Sequence, residues 1–147
     1  MTQRERNATV PPRFSIVIPV YNDWKPLEEC LQSVMRQSNA PDFEVILVDD
    51  GSTETAPDHI RSAEQGHSLT VIRQAHTGIP AARNSGIRAA HGEVLLFVDA
   101  DCRLLADCLA ALSSAIASAP QHDYNDTSSQ VVNALIANIN TLKSIVV

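Results

Sequence analysis

Apolar and polar positions alternate along this chain in two distinct rhythms, short apolar runs and longer one-sided stretches. Phe14-Ser15-Ile16-Val17-Ile18-Pro19-Val20 is a nearly continuous apolar run and predicts a buried strand. Pro19 has no backbone N–H, so pairing on one side of that strand must finish there. Leu27, Cys30, Leu31, Val34 and Met35 then fall on one helical face, predicting an amphipathic helix to about Gln37 with Asp23 as N-cap. Phe43 to Val48 is a second buried strand. Glu54 to Gln65 reads as a weaker helix interrupted by Pro57 and closed by Gly66, and Leu69 to Arg73 as a short third strand near a sheet edge.

The stretch from Thr77 to Ala90 predicts a helix with Pro80 in its first turn and Ile79, Ala82, Ile87 and Ala90 as its apolar positions. Gly86 inside it costs about 1 kcal/mol of helix propensity relative to Ala, a cost that suits a backbone packed close to a neighbour. Val94 to Val98 carries five apolar residues and no charge, which predicts a central strand buried on both faces. Leu105, Cys108, Leu109, Leu112 and Ile116 mark a further helix, stopped by Pro120.

This β-α-β-α-β-α-β-α order predicts an α/β fold, a doubly wound and mostly parallel sheet with helices on both faces and its ligand at the carboxyl ends of the strands. Residues 1–13, ending in Pro11-Pro12, read as a flexible arm, residues 14–120 as the folded domain, and residues 121–147 as a polar loop and an apolar C-terminal helix. Val132, Leu135, Ile136, Ile139, Leu142 and Val146 set the helical spacing there. Such a helix needs a partner, either the flank of the sheet or a second copy in a homo-oligomer.

The remaining composition narrows the chemistry. A hydrophobic fraction of 44% in 147 residues suits one globular domain, and no apolar run reaches the length of a transmembrane segment. A cytoplasmic location is therefore expected, and buried thiols at Cys30 and Cys108 are consistent with it. Net charge is -6 with no Lys/Arg cluster, which argues against nucleic acid as a partner. The five histidines show no zinc spacing.

Three strand ends carry chemistry. Asp99-Ala100-Asp101 places two carboxylates at the end of a strand, a set of oxygen ligands suited to Mg²⁺ or Mn²⁺. Tyr21-Asn22-Asp23 offers a ring that can stack on a nucleobase, and Asp49-Asp50-Gly51-Ser52 a carboxylate that can accept hydrogen bonds from a base or ribose. Arg83 can add a guanidinium for phosphate. Together they describe a pocket for a nucleoside diphosphate. Each group also has a plainer role open to it: Asp99 and Asp101 as turn or cap residues, Tyr21 as a half-buried turn aromatic, Asp50 in an Asx-turn, Arg83 as a solvated helix charge.

Four ordered blocks, Ser15 to Asn22, Val48 to Thr53, Gly78 to Gly86 and Phe97 to Asp101, resemble the amino-terminal half of family 2 glycosyltransferases of the GT-A fold. The resemblance, running from about Phe14 to Ala119, implies a Rossmann-like, donor-binding half that transfers sugar from a UDP- or GDP-linked donor. It implies that Pro19, Tyr21, Asp50, Arg83 and Asp99 line the nucleotide-sugar site, with Asn84 in its wall. It also implies that Asp101, with Asp99, holds Mg²⁺ or Mn²⁺, and that the acceptor is a saccharide or a lipid-linked group. Members of that family ordinarily continue further, to an acceptor site and a catalytic base, so this chain reads as truncated. After Asp101 the only acids are Asp107, Asp123 and Asp126, and none stands out as the base that inverting transfer needs. A non-catalytic nucleotide-sugar-binding or assembly module is the alternative. A phospho-receiver built on Asp49-Asp50 fits less well, because neither Lys25 nor Lys143 follows a late strand end.

Overall fold

The computed structural model describes residues 11–65 and 69–118. Most of the arm expected over residues 1–13, Gly66, and the loop and helix expected over 121–147 lie outside the described residues. The elements run β1 (Phe14–Val20), α1 (Trp24–Met35), β2 (Phe43–Asp49), α2 (Asp58–Gln65), β3 (Thr70–Arg73), α3 (Ile79–Ala89), β4 (Val94–Phe97) and α4 (Cys108–Ser118). The four strands form one sheet in the order β3-β2-β1-β4, and every pairing is parallel. The α/β architecture expected from the element order is the one observed.

All seven residues of β1 are buried, as a central strand between two neighbours requires. Its ladder with β2 runs the full length from Phe14–Phe43 to Val20–Asp49, whereas its ladder with β4 covers only Phe14 to Val17. The missing N–H of Pro19 falls just beyond that shorter ladder.

The central position expected for Val94 to Val98 is corrected. Among the described residues β4 is an edge strand, and Leu95 and Phe97 are each 39% exposed. A continuous apolar run satisfies a one-sided strand as readily as a two-sided one, and the run in β1 competes for the middle of the sheet. β3 lies at the opposite edge, as expected.

Two helix expectations also change. α2 begins at Asp58, and Pro57 precedes it and accepts a hydrogen bond from Ile60 N–H at its carbonyl, so the proline starts the helix rather than interrupting it. In α3 the buried residues are Ala82 and Gly86, while Ile79 and Ile87 are exposed. The helix lies so close to the sheet that a Cβ on Gly86 would fall 2.2 Å from Val17 Cγ1. Small residues face inward because nothing larger fits. Val17, Ile46, Val48 and Ala82 form the buried cluster there, with Ile72, Ala89 and Ala90 packed against it.

Among the described residues the chain divides by its contacts into two compact units, one of residues 11–28 with 41–65 and 69–101, the other of residues 29–40 with 102–118. The first holds the whole sheet. In the second, the Gln37 side chain donates to Leu105 O at 2.7 Å and accepts from Leu109 N–H at 2.9 Å, joining the segment after α1 to the start of α4. Arg103 pairs with Glu29. Cys30 and Cys108 are buried thiols not joined by a disulfide, and burial, with Asp107 nearby, pushes the Cys108 thiol up to about 11.

Candidate functional site

Parallel strands deliver their carboxyl ends to one rim, and the loops that leave β1, β2 and β3 interlock there. β1 ends at Val20, and two residues on Asn22 takes a left-handed backbone (φ +58°). Asn tolerates that region better than most residues. Its Oδ1 accepts from Thr53 N–H at 2.9 Å and Glu54 N–H at 3.0 Å, while its own N–H donates to Ser52 Oγ at 2.9 Å. Asp49 Oδ1 accepts from Ser52 N–H at 2.9 Å. Tyr21 and Asp50 are therefore fixed by the residues beside them.

The loop after β3 completes the rim. Gln74 N–H continues the ladder to Asp49 O at 3.0 Å, and the chain then passes so close to Gly51 that a Cβ there would lie 2.6 Å from His76 N. Gly51 also has φ +78°, so both the space and the backbone call for glycine.

Asp50, 4% exposed, is the hub of this loop. Its Oδ1 accepts from Gln74 Nε2 at 2.7 Å, Thr77 N–H at 3.0 Å and the Thr77 hydroxyl at 3.5 Å, and its Oδ2 from Gly78 N–H at 2.8 Å; His76 Nδ1 donates to the Asp50 backbone carbonyl at 3.1 Å and lies 2.9 Å from Oδ2. Burial alone would raise the Asp50 carboxyl. The hydrogen bonds from Thr77, Gln74 and Gly78, with His76 nearby, outweigh that and hold it below the ordinary carboxylate value. His76 also stacks on Tyr21, with ring centroids 4.1 Å apart and planes 26° from parallel.

An open cleft of about 160 Å³ lies here, walled by Pro19 of β1 and Tyr21 just beyond it, Asp50 just beyond β2, His76 and Gly78 from the third loop, and Ile79 from α3. Three residues expected at a ligand site, Pro19, Tyr21 and Asp50, thus share one cleft. Arg83 and Asp99 form a separate pair at the end of β4, Nη2 to Oδ1 at 2.9 Å, with the guanidinium 5.7 Å over the Phe97 ring. Arg83 Nε is buried with no hydrogen-bond acceptor. Asp101 lies exposed in the turn that follows, in the same unit.

Sequence reasoning missed the third loop. Gln74, His76, Thr77 and Gly78 supply the partners of Asp50, yet Thr77 and Gly78 read only as helix-start residues and His76 only as a histidine without zinc spacing. The available signal was topological, since every strand of a doubly wound sheet opens into the same crevice.

A parallel α/β sheet with a cleft and acidic strand ends at its carboxyl rim defines a class of protein that takes its ligand there. Residues 15–131 match the model of Glycosyl transferase family 2, and the chain belongs to that family. It is 44% identical to the Uncharacterized glycosyltransferase EpsJ of Bacillus subtilis (strain 168) over 94 residues, 61% of this chain and 26% of that protein. It is 39% identical over 118 residues to a PGL/p-HBAD biosynthesis glycosyltransferase of Mycobacterium bovis, 78% of this chain and 44% of that protein. Among solved structures, S. aureus TarS in complex with UDP superposes with a TM-score of 0.65 at 32% identity, covering 73% of this chain and 32% of that one. The mannosyltransferase PcManGT of Pyrobaculum calidifontis, in complex with GDP-Man and Mn²⁺, gives 0.62 at 32% identity, covering 71% and 32%. The chain therefore spans less than half the length of these relatives.

Proposed function

We propose that this chain is the donor-binding part of a metal-dependent, inverting glycosyltransferase that takes a UDP- or GDP-linked sugar. The observation that carries the reading is the convergence of Pro19, Tyr21 and Asp50 on one cleft at the carboxyl rim of a family 2 sheet. Tyr21 offers a ring for stacking, and Asp50 a carboxylate for a base N–H. Arg83 and Asp99 stand at the end of β4, where a diphosphate would follow. The UDP and GDP-Man complexes of the two structural relatives support the donor class.

Asp99 and Asp101 provide oxygen ligands only, and among the described residues no group of three or more His, Cys, Asp or Glu is placed to hold a metal ion. That donor set fits an ion that takes its other positions from phosphate and water, as Mg²⁺ and Mn²⁺ do. Lewis-acid neutralisation of the departing diphosphate is what such a bound ion supplies. This chain's residues hold the base, balance phosphate charge through Arg83 and orient the donor. Asp50 and Asp99 are engaged by hydrogen bonds, which favours the acceptor hydroxyl over an enzyme carboxylate as nucleophile. The acceptor is a saccharide or a lipid-linked group in this reading. Among the described residues no helix is long and apolar enough to cross a membrane.

The test is thermal unfolding with UDP, GDP and their sugars, with and without Mn²⁺. Ligand at about 100-fold over its Kd stabilises by roughly 2.7 kcal/mol. Stabilisation that needs Mn²⁺ and is lost in Asp101→Asn is the expected outcome. No shift with any nucleotide, or equal shifts in parent and variant, overturns the donor or the metal part of the reading respectively.

A further inference from the structure

Asp50 is buried, and its carboxylate already accepts from the Gln74 side chain, from the N–H and hydroxyl of Thr77 and from Gly78 N–H, with His76 Nδ1 a further 2.9 Å contact. A nucleobase N–H can reach it only by displacing one of them. Thr77 and Gly78 give backbone N–H groups, fixed by the loop itself. The Gln74 side chain is held at its other end, its Oε1 accepting from Ser85 Oγ at 2.5 Å. His76 is different. Its side chain is 56% exposed, and its described contacts are the Tyr21 stack, the hydrogen bond from Nδ1 to the Asp50 backbone carbonyl at 3.1 Å and the approach of Nδ1 to Oδ2 at 2.9 Å. Both partners of Nδ1 are acceptors, so Nδ1 carries the hydrogen.

These are the two contacts assigned above to the nucleobase: a planar ring against Tyr21 and a ring N–H to the Asp50 carboxylate. The ring centroids, 4.1 Å apart, leave no space for a third ring between them. We infer that the His76 imidazole is an internal placeholder for the nucleobase, a specificity-determining residue that the base of the donor must displace from Tyr21 and Asp50. The inference rests on the donor-site reading and adds to it a residue with a cost and a direction. A ligand that enters must bring both a stacking face and a ring N–H, or it leaves a buried carboxylate short of a donor. Sugar phosphates without a base cannot make the exchange.

The experiment is isothermal titration of UDP and GDP, with Mn²⁺, into the parent chain and into His76→Ala and His76→Phe, beside an NMR titration of the parent. His76→Ala removes both competing contacts, so the better-binding nucleotide gains about three- to tenfold in affinity, the factor by which a self-occupied site lowers apparent binding. His76→Phe keeps the stack and loses the N–H, so its Kd falls between those of the parent and His76→Ala. In the parent, the NOE between the Tyr21 and His76 ring protons is present in the free protein and disappears at saturating nucleotide. Weaker or unchanged binding in His76→Ala overturns the inference and leaves the donor site standing, as does an NOE that survives saturation. No nucleotide binding by the parent or either variant overturns the donor-site reading and this inference together. The NOE requires no substitution, so a variant that fails to fold does not remove the test.

Discussion

At the scale of a residue, Asp50 does more structural work than its place beside a cleft suggests. Its carboxylate is the acceptor for the backbone N–H groups of Thr77 and Gly78 and for the Gln74 and Thr77 side chains, and charge-assisted bonds of this kind are stronger than neutral ones. Asp50→Asn replaces one acceptor oxygen with an NH₂ that faces donors, leaving at least one buried N–H without a partner. The expected cost is about 1–3 kcal/mol of folding stability at pH 7, read from urea unfolding. The variant also loses nucleotide affinity, because its amide no longer offers a carboxylate to a base N–H. An Asn variant as stable as the parent shows that the loop is set by its backbone alone. Asn22 plays a comparable part for Tyr21, bridging the first two loops through its own side chain.

At the scale of an element, the sharpest constraint is where α3 crosses β1. A methyl on Gly86 would meet Val17 Cγ1 at 2.2 Å, Cγ2 at 3.0 Å and Cβ at 3.2 Å, so no turn of the Val17 side chain clears it. Gly86→Ala gains about 1 kcal/mol of helix propensity and incurs roughly 1–3 kcal/mol of overpacking, so the thermal midpoint falls. Val17→Ala in the same chain removes the clashing methyls, and the double variant is more stable than the sum of the two single changes predicts, a coupling that a double-mutant cycle measures. Additive changes would place the strain elsewhere. The sequence already pointed to this close approach, since a glycine inside a helical pattern needs a reason. Element types, order and parallel pairing were legible because each apolar run had one matching period. The place of β4 was not. An uncharged run of five cannot state whether one face or two are covered, and the order of strands is decided by competition among runs. The loop after β3 was hidden for another reason. Half of its hold on Asp50 is through backbone N–H groups, which any residue but proline supplies, and the Gln74 and Thr77 side chains that make up the rest form no recognisable motif.

At the scale of the molecule, the sheet is tied by carboxylates at both ends. At the carboxyl rim stands Asp50; near the amino ends of the strands stands Glu44, whose Oε1 accepts from Ser15 Oγ at 2.5 Å and His91 N–H at 2.6 Å, joining β2 to β1 and to the approach to β4. Gly92 N–H donates to the same Ser15 Oγ at 2.7 Å. Burial alone would raise Glu44, but the bonds from Ser15 and His91 hold it below its ordinary value. The Arg73 pair lowers Glu64 at the β3 edge, against a smaller opposing effect of burial. All three groups bind a proton less readily in the folded chain than in the unfolded one. Their stabilisation is therefore complete above the unfolded values, 3.8 for Asp and 4.5 for Glu, and drains away as pH falls through the lower folded values. Urea midpoints measured from pH 7 down to pH 2.5 are expected to hold level to about pH 5 and then fall steeply. A chain carrying Glu44→Gln with Asp50→Asn starts less stable and loses less over the same interval, because two of the three linked protons are gone. If parent and double variant fall in parallel, the acid sensitivity comes from net charge repulsion and not from the two ties, since only the ties disappear with those side chains.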